Sequence, residues 1–296
     1  MLKFQVIPIR HIWLSISAAL VLLSIIFVSV FGLKFGIDFT GGSLMEIDFG
    51  TVVSREEVTE SLRAAGYQDS TIQTSGENGY LIRLPSLKED EHQNILSVFK
   101  QKHGDLTEHR FDSIGPVIGS ELRYTATTGV IITLVLIGLY VAWAYRKVSE
   151  PMASWKYGVL TILTAFHDVI IPLGAFALFG KFFGWEVGTA FVAAILTILG
   201  YSITDTVVVF DRTRENLMRH TAHTFEDIVE RSIHQTLWRS ISTSTTTLLA
   251  LLAIFLFGGE STRPFAMALM IGILTGTYSS IFLASPLLVT WEKRKR

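Results

Sequence analysis

Six long apolar runs dominate the pattern of hydrophobic and polar positions along the chain. Each is roughly as long as the 20-residue helix that crosses the hydrocarbon core of a bilayer. The predicted spans 1 to 6 lie at about Ile12–Leu33, Thr125–Tyr145, Tyr157–Phe179, Val187–Phe210, Ser240–Phe257 and Phe265–Trp291. The first run is too long for the apolar core of a signal peptide, so we interpret it as a retained membrane anchor.

Between spans 1 and 2 the pattern changes to that of a soluble domain. The predicted elements are a strand (Ser43–Phe49), a helix starting at a capping box of Ser54 and Glu57, a hairpin (Thr71–Thr74 and Tyr80–Leu84), a helix (Glu89–Lys102) and a strand (Thr107–Ile114). This order is that of a small ferredoxin-like α+β domain. The fold class is therefore membrane α-helical, six transmembrane helices with one α+β domain between helices 1 and 2.

The predicted domains are 1–34 with span 1, the α+β domain at 35–124, and 125–296 with spans 2 to 6. The last of these contains a polar segment at 211–239. Within it, Thr224 and Asp227 predict the cap of a short helix with an apolar stripe. A helix of that kind is expected to lie along the membrane surface.

The distribution of Lys and Arg predicts the orientation. The N-terminal end, the turn after span 2, the segment after span 4 and the C-terminal end hold fourteen basic residues. The two short loops on the other side hold Lys181 and Arg263 only. By the positive-inside rule both termini are predicted to be cytoplasmic, which places the α+β domain on the extracytoplasmic side.

Composition narrows the class of protein. The 296 residues have a formal net charge of −1 and no Cys, and the mean hydropathy is +0.44. These values are typical of a membrane protein. The absence of Cys excludes disulfides, thiolate metal sites and Cys nucleophiles. The sequence has no Walker-type glycine loop, GxSxG or HExxH motif, so we expect neither an enzyme nor a cofactor or metal site.

Asp205 is the main candidate for chemistry, because it lies near the end of span 4. Thr197, Tyr201 and Thr204 share its helix face, and Asp211 at the exit is roughly 9 Å further along. One interpretation is a carboxyl satisfied by the many Ser and Thr hydroxyls of span 5. The other is a carboxyl that gains and loses a proton. We favour the second, because a charge within a span costs roughly 2.5–3.5 kcal/mol.

Two further polar groups lie in or beside the spans. Arg239 comes at about the depth of Asp205 and is a candidate counter-ion, although an arginine that snorkels to lipid headgroups fits equally well. His167 and Asp168 lie in the middle of span 3. They are either a hydrogen-bonded pair that locks helices together or a second station of a proton relay, and we lean slightly to the relay.

Small residues repeat every four positions in span 6. They are Gly272, Gly276 and Ser280. Such a repeat lets two helix backbones approach closely, so we expect it to mark a helix–helix contact and not a reactive site.

Four motifs together resemble the SecF members of the SecD/SecF protein-export family. They are FGIDFTGG at 35–42, HDVIIPLG at 167–174, GYSITDTVVVFDRTREN at 200–216 and RSIHQTLWRSISTSTTTL at 231–248. The first contains Asp38, Gly41 and Gly42, and the third contains Asp211 and Arg212. The motifs follow one another in family order through nearly the whole chain.

The resemblance implies a subunit of the resistance-nodulation-division architecture in the cytoplasmic (inner) membrane of a bacterium. Its implied partners are SecD, the SecYEG channel, SecA, YajC, the unfolded exported polypeptide and the lipid bilayer, without nucleic acid. The family uses the proton gradient to move exported chains outward. Its acid and arginine implicated in proton passage fall on Asp205 and Arg239, with Ser202, Thr204 and His167 as supporting polar residues. Thr204 departs from the family, which more often has Asn there.

Three alternatives remain at this point. One is a small-molecule or lipid efflux subunit of the same superfamily, which needs a substrate pocket in the extracytoplasmic domain. Another is a passive scaffold that stabilises a translocon, for which the charge of Asp205 is irrelevant. The third is an intramembrane hydrolase that uses Asp168 and Asp205, which we disfavour.

Overall fold

The computed structural model describes residues 5–68, 70–76, 78–146 and 153–293. The elements are α1 (Arg10–Phe31), α2 (Ile37–Thr40), β1 (Gly42–Phe49), α3 (Arg55–Ala64), β2 (Thr71–Ser75), β3 (Gly79–Leu84), α4 (Glu89–His103), β4 (Leu106–Ile114), α5 (Pro116–Ala144), α6 (Ser154–Phe182), α7 (Thr189–Met218), α8 (Phe225–Phe257), α9 (Arg263–Ser279), a π-helical turn (Ser280–Ala284) and α10 (Ser285–Lys293). Parts of the predicted basic segments, at 1–4, 147–152 and 294–296, lie outside the described residues.

The chain divides into two compact units. One contains Met1–Lys34 and Thr128–Arg296, and the other is Phe35–Thr127. The predicted division at 34/35 is the same, and the second boundary, predicted at 124/125, lies three residues earlier than the observed one. Each unit has its own hydrophobic core.

The smaller unit is a four-stranded antiparallel sheet with the strand order β2-β3-β1-β4. Alternate residues of β1, among them Met45 and Ile47, are fully buried together with Val58 of α3 and Phe99 of α4. The predicted capping box is present, since Ser54 N–H donates to Glu57 at 2.8 Å and Glu57 N–H donates to Ser54 Oγ at 3.3 Å. The predicted ferredoxin-like fold is confirmed.

The two glycines of the FGIDFTGG motif turn the chain from α2 into β1. Gly41 has φ 73° and ψ 168°, and Gly42 has φ 122°. This backbone region is open to glycine almost alone. A Cβ at Gly41 would lie 2.7 Å from Pro116 Cα, and one at Gly42 would lie 2.9 Å from the Leu84 carbonyl oxygen. Glycine is thus required at both positions, because the backbone conformation disfavours other residues and neighbouring atoms leave no room for a Cβ.

Gly41→Ala is expected to destabilise this unit. The strained backbone alone costs on the order of 1–3 kcal/mol, and the close approach to Pro116 adds to that. The measurement is limited proteolysis of the full-length protein at rising temperature, followed at cleavage sites in 35–127. Gly115→Ala is the matched control, because a Cβ there meets nothing within 4 Å. Equal protease resistance of both variants would contradict this explanation of the motif.

Among the residues that the structure describes, six helices are long and apolar enough to cross a membrane, which confirms the six predicted spans. The sixth runs from Arg263 to Lys293 and includes the π-helical turn. Pro286 explains the turn, because it has no N–H to donate to the carbonyl four residues earlier and its ring crowds that carbonyl. Within the same stretch, the Ser285 hydroxyl donates to the Ser280 carbonyl at 3.1 Å.

The prediction of a separate surface helix in segment 211–239 is wrong. Asp211 to Met218 continues α7, and α8 runs unbroken from Phe225 for 33 residues, about 50 Å. The predicted cap is present, with Asp227 N–H donating to Thr224 Oγ1 at 3.1 Å. The apolar stripe has protein partners instead of lipid. Its residues Phe225, Val229 and Ile233 are buried in one core with Val6, Ile7, Phe210 and Leu288.

The small-residue repeat forms the contact between α7 and α9, as predicted. A Cβ at Gly272 would lie 2.1 Å from the Ile198 side chain, and one at Gly276 would lie 2.8 Å from Ser202 Cβ. One turn further, Ser280 Oγ lies 3.2 Å from Thr206 Oγ1. Because both sequences advance by four residues at each contact, the two helices run parallel in fixed register.

Gly276→Ala is expected to lower the stability of the membrane unit by roughly 1–3 kcal/mol, the usual cost of overpacking. The added methyl would meet Cβ and backbone atoms of Ser202, which cannot rotate away. The measurement is the thermal unfolding midpoint in detergent. Gly200→Ala in α7 is the control, since a Cβ there meets nothing within 4 Å. If both variants lose the same stability, the α7–α9 register does not depend on Gly276.

Candidate functional site

Asp168 in α6 is completely buried and joins three helices. Its Oδ2 accepts hydrogen bonds from Ser279 of α9 at 2.7 Å and from Ser202 of α7. Its Oδ1 lies 2.8 Å from Nδ1 of the neighbouring His167. Both carboxylate oxygens therefore have partners, as a buried carboxylate requires.

The helices are irregular beside this carboxylate. Pro172 has no N–H, so it cannot donate to the carbonyl of Asp168, four residues before it. The π-helical turn starts immediately after Ser279. His167 adds an unusual feature, since its Nε2 is buried without a hydrogen-bond partner in the described part of the chain. Tyr278 stacks beside this ring at 6.1 Å. A helix interrupted by proline, a π-helical turn and an imidazole with one unbonded nitrogen thus lie beside Asp168.

Asp205 in α7 is also buried, with 8% of its surface exposed, but it is bonded differently. Ser240 of α8 donates to Oδ1 at 3.2 Å. Oδ2 is buried and makes no hydrogen bond to any residue that the structure describes. A buried polar atom without a partner carries a desolvation cost that protonation or water can relieve. Asp205 therefore has one oxygen free to take up a proton.

The supporting polar residues do not all contact Asp205. Thr204 is exposed, and its hydroxyl donates to the Gly200 carbonyl of its own helix at 2.9 Å. Ser202 and His167 form hydrogen bonds with Asp168 instead. The neighbouring Tyr201 hydroxyl reaches Ser244 of α8 at 3.4 Å. Of the polar residues of α7, Ser202 thus contacts Asp168, whereas Tyr201 contacts α8.

Arg239 lies one residue before Ser240. Among the described residues it forms no ion pair with Asp205, since no nitrogen of its guanidinium lies within 4.0 Å of a carboxylate oxygen of Asp205. Its side chain is exposed and lines a cavity of about 340 Å³ between α5, α7 and α8. Asp211 and Arg212 line the same cavity. The cavity thus begins within one helical turn of Asp205, since Val207 and Val208 in its wall are two and three residues further along α7.

Ser279 is a site residue that sequence reasoning missed. Its neighbour Ser280 belongs to the recognised small-residue repeat, and a second small polar residue beside it was the available signal. No group of three His, Cys, Asp or Glu side chains converges as a metal site would require, within the described ranges.

Comparison with protein families decides the family. A profile described as "Protein export membrane protein SecD/SecF, C-terminal" matches residues 94–294, and one described as "SecD/SecF GG Motif" matches residues 26–51. The chain belongs to the SecD/SecF family. The second profile covers Gly41 and Gly42, whose backbone conformation excludes other residues. The first covers all the residues of the Asp168 and Asp205 clusters.

Similar proteins match over nearly the whole chain. The protein translocase subunit SecF of Thermobaculum terrenum is 40% identical over 297 residues, which cover 96% of this chain and 93% of that protein. The protein of the same name from Haemophilus influenzae is 35% identical, covering 95% and 83%. The protein translocase subunit SecDF of Thermus thermophilus is 37% identical and covers 98% of this chain, but only 38% of SecDF is matched.

Solved structures give the same result for the fold. The crystal structure of the Thermus SecDF, described as a translocon-associated membrane protein, matches with a TM-score of 0.85 and 35% identity over 98% of this chain. SecDF in a super-membrane-facing form matches with a TM-score of 0.70 and 36% identity over 99%. This chain spans 39% of the SecDF chain in each case.

Proposed function

We propose that this chain is a subunit of the bacterial protein-export machinery that couples the proton gradient to late-stage movement of secreted proteins across the cytoplasmic membrane. A role in protein translocation is supported by its relatives, which are protein translocase subunits. The observation that carries the proton coupling is the Asp205 carboxyl, which is buried in a spanning helix with Oδ2 unbonded among the described residues.

Asp205 is the proton-carrying group in this proposal, and Asp168 has a structural role. The Asp168 oxygens are held by donors from His167, Ser202 and Ser279, so adding a proton there breaks existing bonds. Among the described residues, Asp205 has a single donor, Ser240. Between the two interpretations of the His167–Asp168 pair, the geometry favours a lock between helices.

Arg239 is the counter-ion in a second conformation. When Asp205 is ionised, a guanidinium that turns from the cavity toward α7 would compensate its charge. When Asp205 is protonated, the pair is lost and Arg239 returns to the cavity, which its side chain lines in this structure. A gradient of about 200 mV supplies roughly 4–5 kcal/mol per proton. That is close to the roughly 5.5 kcal/mol that moves a two-state equilibrium from 1:99 to 99:1.

SecD is the proposed direct partner. The support is that the counterpart of this chain in SecDF makes up 39% of one longer chain. SecYEG, SecA and YajC are proposed from the family resemblance, with both termini cytoplasmic and the α+β unit extracytoplasmic. The swing of that unit would move the exported polypeptide.

The test is export of a secreted precursor into inner-membrane vesicles that lack this chain or have it restored, with and without an uncoupler. Restoration should raise export only while the gradient is present. If export rises equally with the uncoupler, the chain is a scaffold and the coupling proposal is wrong. If export does not respond but small-molecule extrusion does, the efflux alternative replaces it.

A further inference from the structure

The cavity between α5, α7 and α8 is positively charged. Three arginines, Arg212, Arg214 and Arg239, line it together with two carboxylates, Asp211 and Glu215. Its volume of about 340 Å³ falls in the range of roughly 300–1,000 Å³ that is usual for ligand cavities. The question is whether the acids neutralise all three cations.

Glu215 is already shared between two arginines. One oxygen lies 2.6 Å from Arg212 Nη1, and the other lies 2.8 Å from Nη2 of Arg219 on the next turn. These are charge-assisted contacts of ordinary length. Each Glu215 oxygen therefore already faces an arginine, and neither Arg214 nor Arg239 is paired with it among the described residues.

Arg214 and Arg239 keep unused donors. Arg214 has one long contact, 3.7 Å from Nη1 to Asp211 Oδ1, and its guanidinium makes no hydrogen bond to any described residue. Its Nε is enclosed by protein, so the Nη groups are the donors that a ligand can reach. The guanidinium of Arg239 forms neither an ion pair nor a hydrogen bond with any described residue. Two guanidinium groups that face one cavity with free donors form a receptor for an oxyanion, since each can bind two oxygens.

We propose that this cavity binds a phosphate group between Arg214 and Arg239. An acidic phospholipid headgroup and free phosphate present the same chemistry. The surroundings favour the lipid, because Trp238, the residue before Arg239 in α8, is 78% exposed, and Tyr145 lies in the cavity wall. Aromatic residues of this kind occupy the headgroup level, where basic pockets between helices bind anionic lipids.

The inference extends the proposed function, on which its consequence rests. A bound phosphate would retain Arg239 in the cavity and compete with Asp205 for its charge. Binding itself is measured without export, so the site can exist even if the proton coupling is wrong, and the reverse also holds.

Native mass spectrometry of the full-length protein in detergent tests the site. The probes are phosphatidylglycerol, phosphatidylcholine and inorganic phosphate. We expect retention of phosphatidylglycerol but not phosphatidylcholine. Arg214→Gln should bind phosphatidylglycerol about tenfold more weakly, which corresponds to the loss of one charge-assisted contact. Arg231→Gln is the control, since Arg231 is exposed on α8, outside the cavity, and donates to the Thr221 carbonyl.

The outcomes separate the two phosphate sources. Displacement of phosphatidylglycerol by millimolar inorganic phosphate supports a site that accepts either source, whereas resistance to phosphate supports the lipid. Equal retention of both lipids, or equal binding by the wild type and Arg214→Gln, overturns the proposal. Arg214→Lys keeps the charge and should bind with intermediate affinity. The thermal unfolding of each variant shows whether a loss reflects misfolding instead.

Discussion

Asp205→Asn is expected to reduce gradient-driven export to the level measured without the chain. Asn has nearly the same size as Asp and can still accept the hydrogen bond from Ser240, but it cannot take up a proton. The change therefore removes the proton while retaining the packing of α7 against α8. The measurement is the export rate of a secreted precursor under an imposed gradient, at equal amounts of wild type and variant in the membrane.

Two further variants make this result specific. Asp205→Glu keeps an ionisable carboxyl and should retain part of the export. Ser240→Ala removes the hydrogen bond that Ser240 donates to Asp205 and should alter the rate much less than Asp205→Asn. Wild-type export by Asp205→Asn would show that the carboxyl is structural, and the relay would then have to be sought at Asp168.

Asp168→Ala is expected to cost roughly 3–5 kcal/mol of stability, as is usual when one partner of a buried charged network is removed. The change leaves His167, Ser202 and Ser279 without their common acceptor inside the membrane unit. Since whole domains have only about 5–15 kcal/mol, much of the protein should fail to accumulate in folded form. The measurements are the folded yield by size-exclusion chromatography and the thermal midpoint.

A second substitution distinguishes a lock from a relay at this position. Asp168→Asn retains an acceptor for one hydroxyl, so it should fold better than Asp168→Ala. Its gradient-driven export per folded molecule should equal that of the wild type. Complete loss of export at normal folded yield would contradict the structural role and place Asp168 in the proton path. Thr197→Ala is the control, since that exposed hydroxyl donates to the carbonyl of Ala193 in its own helix.

The spans and the α+β unit could be predicted from sequence because each depends on a local pattern. A run of apolar residues defines a span, and strand alternation with a capping box such as Ser54 and Glu57 defines the order of a small sheet. The helix contact made by small residues could also be predicted, because a repeat such as Gly272 and Gly276 leaves room for another helix to approach closely.

The extent of α8 could not be predicted in the same way. The stripe of Phe225, Val229 and Ile233 is equally suited to lipid and to protein. The N-terminal segment decides between them: the Glu230 carboxylate accepts hydrogen bonds from the Val6 and Ile7 N–H groups, and those residues cover the stripe. Such a contact between residues more than 220 positions apart has no periodic signal.

The difference in hydrogen bonding between the two intramembrane acids, Asp168 and Asp205, likewise could not be predicted from sequence. Sequence places both in apolar runs, but bonding depends on which hydroxyls of other helices reach each carboxyl. Ser202 points to Asp168 although it lies three residues before Asp205, and Ser279 comes from a helix far along the chain. Helix periodicity gives the face of a residue, whereas the partner of that face follows from tertiary packing.

The central claim is that the Asp205 carboxyl exchanges a proton within the folded protein. Infrared difference spectra of the wild type and Asp205→Asn in the same lipid, recorded across a range of pH, test it most directly. The account predicts a C=O stretching band of a protonated carboxyl that disappears as the pH rises, is missing in Asp205→Asn and persists in Asp168→Asn. Spectra of the wild type and Asp205→Asn that show the same carboxyl bands at every pH would contradict it.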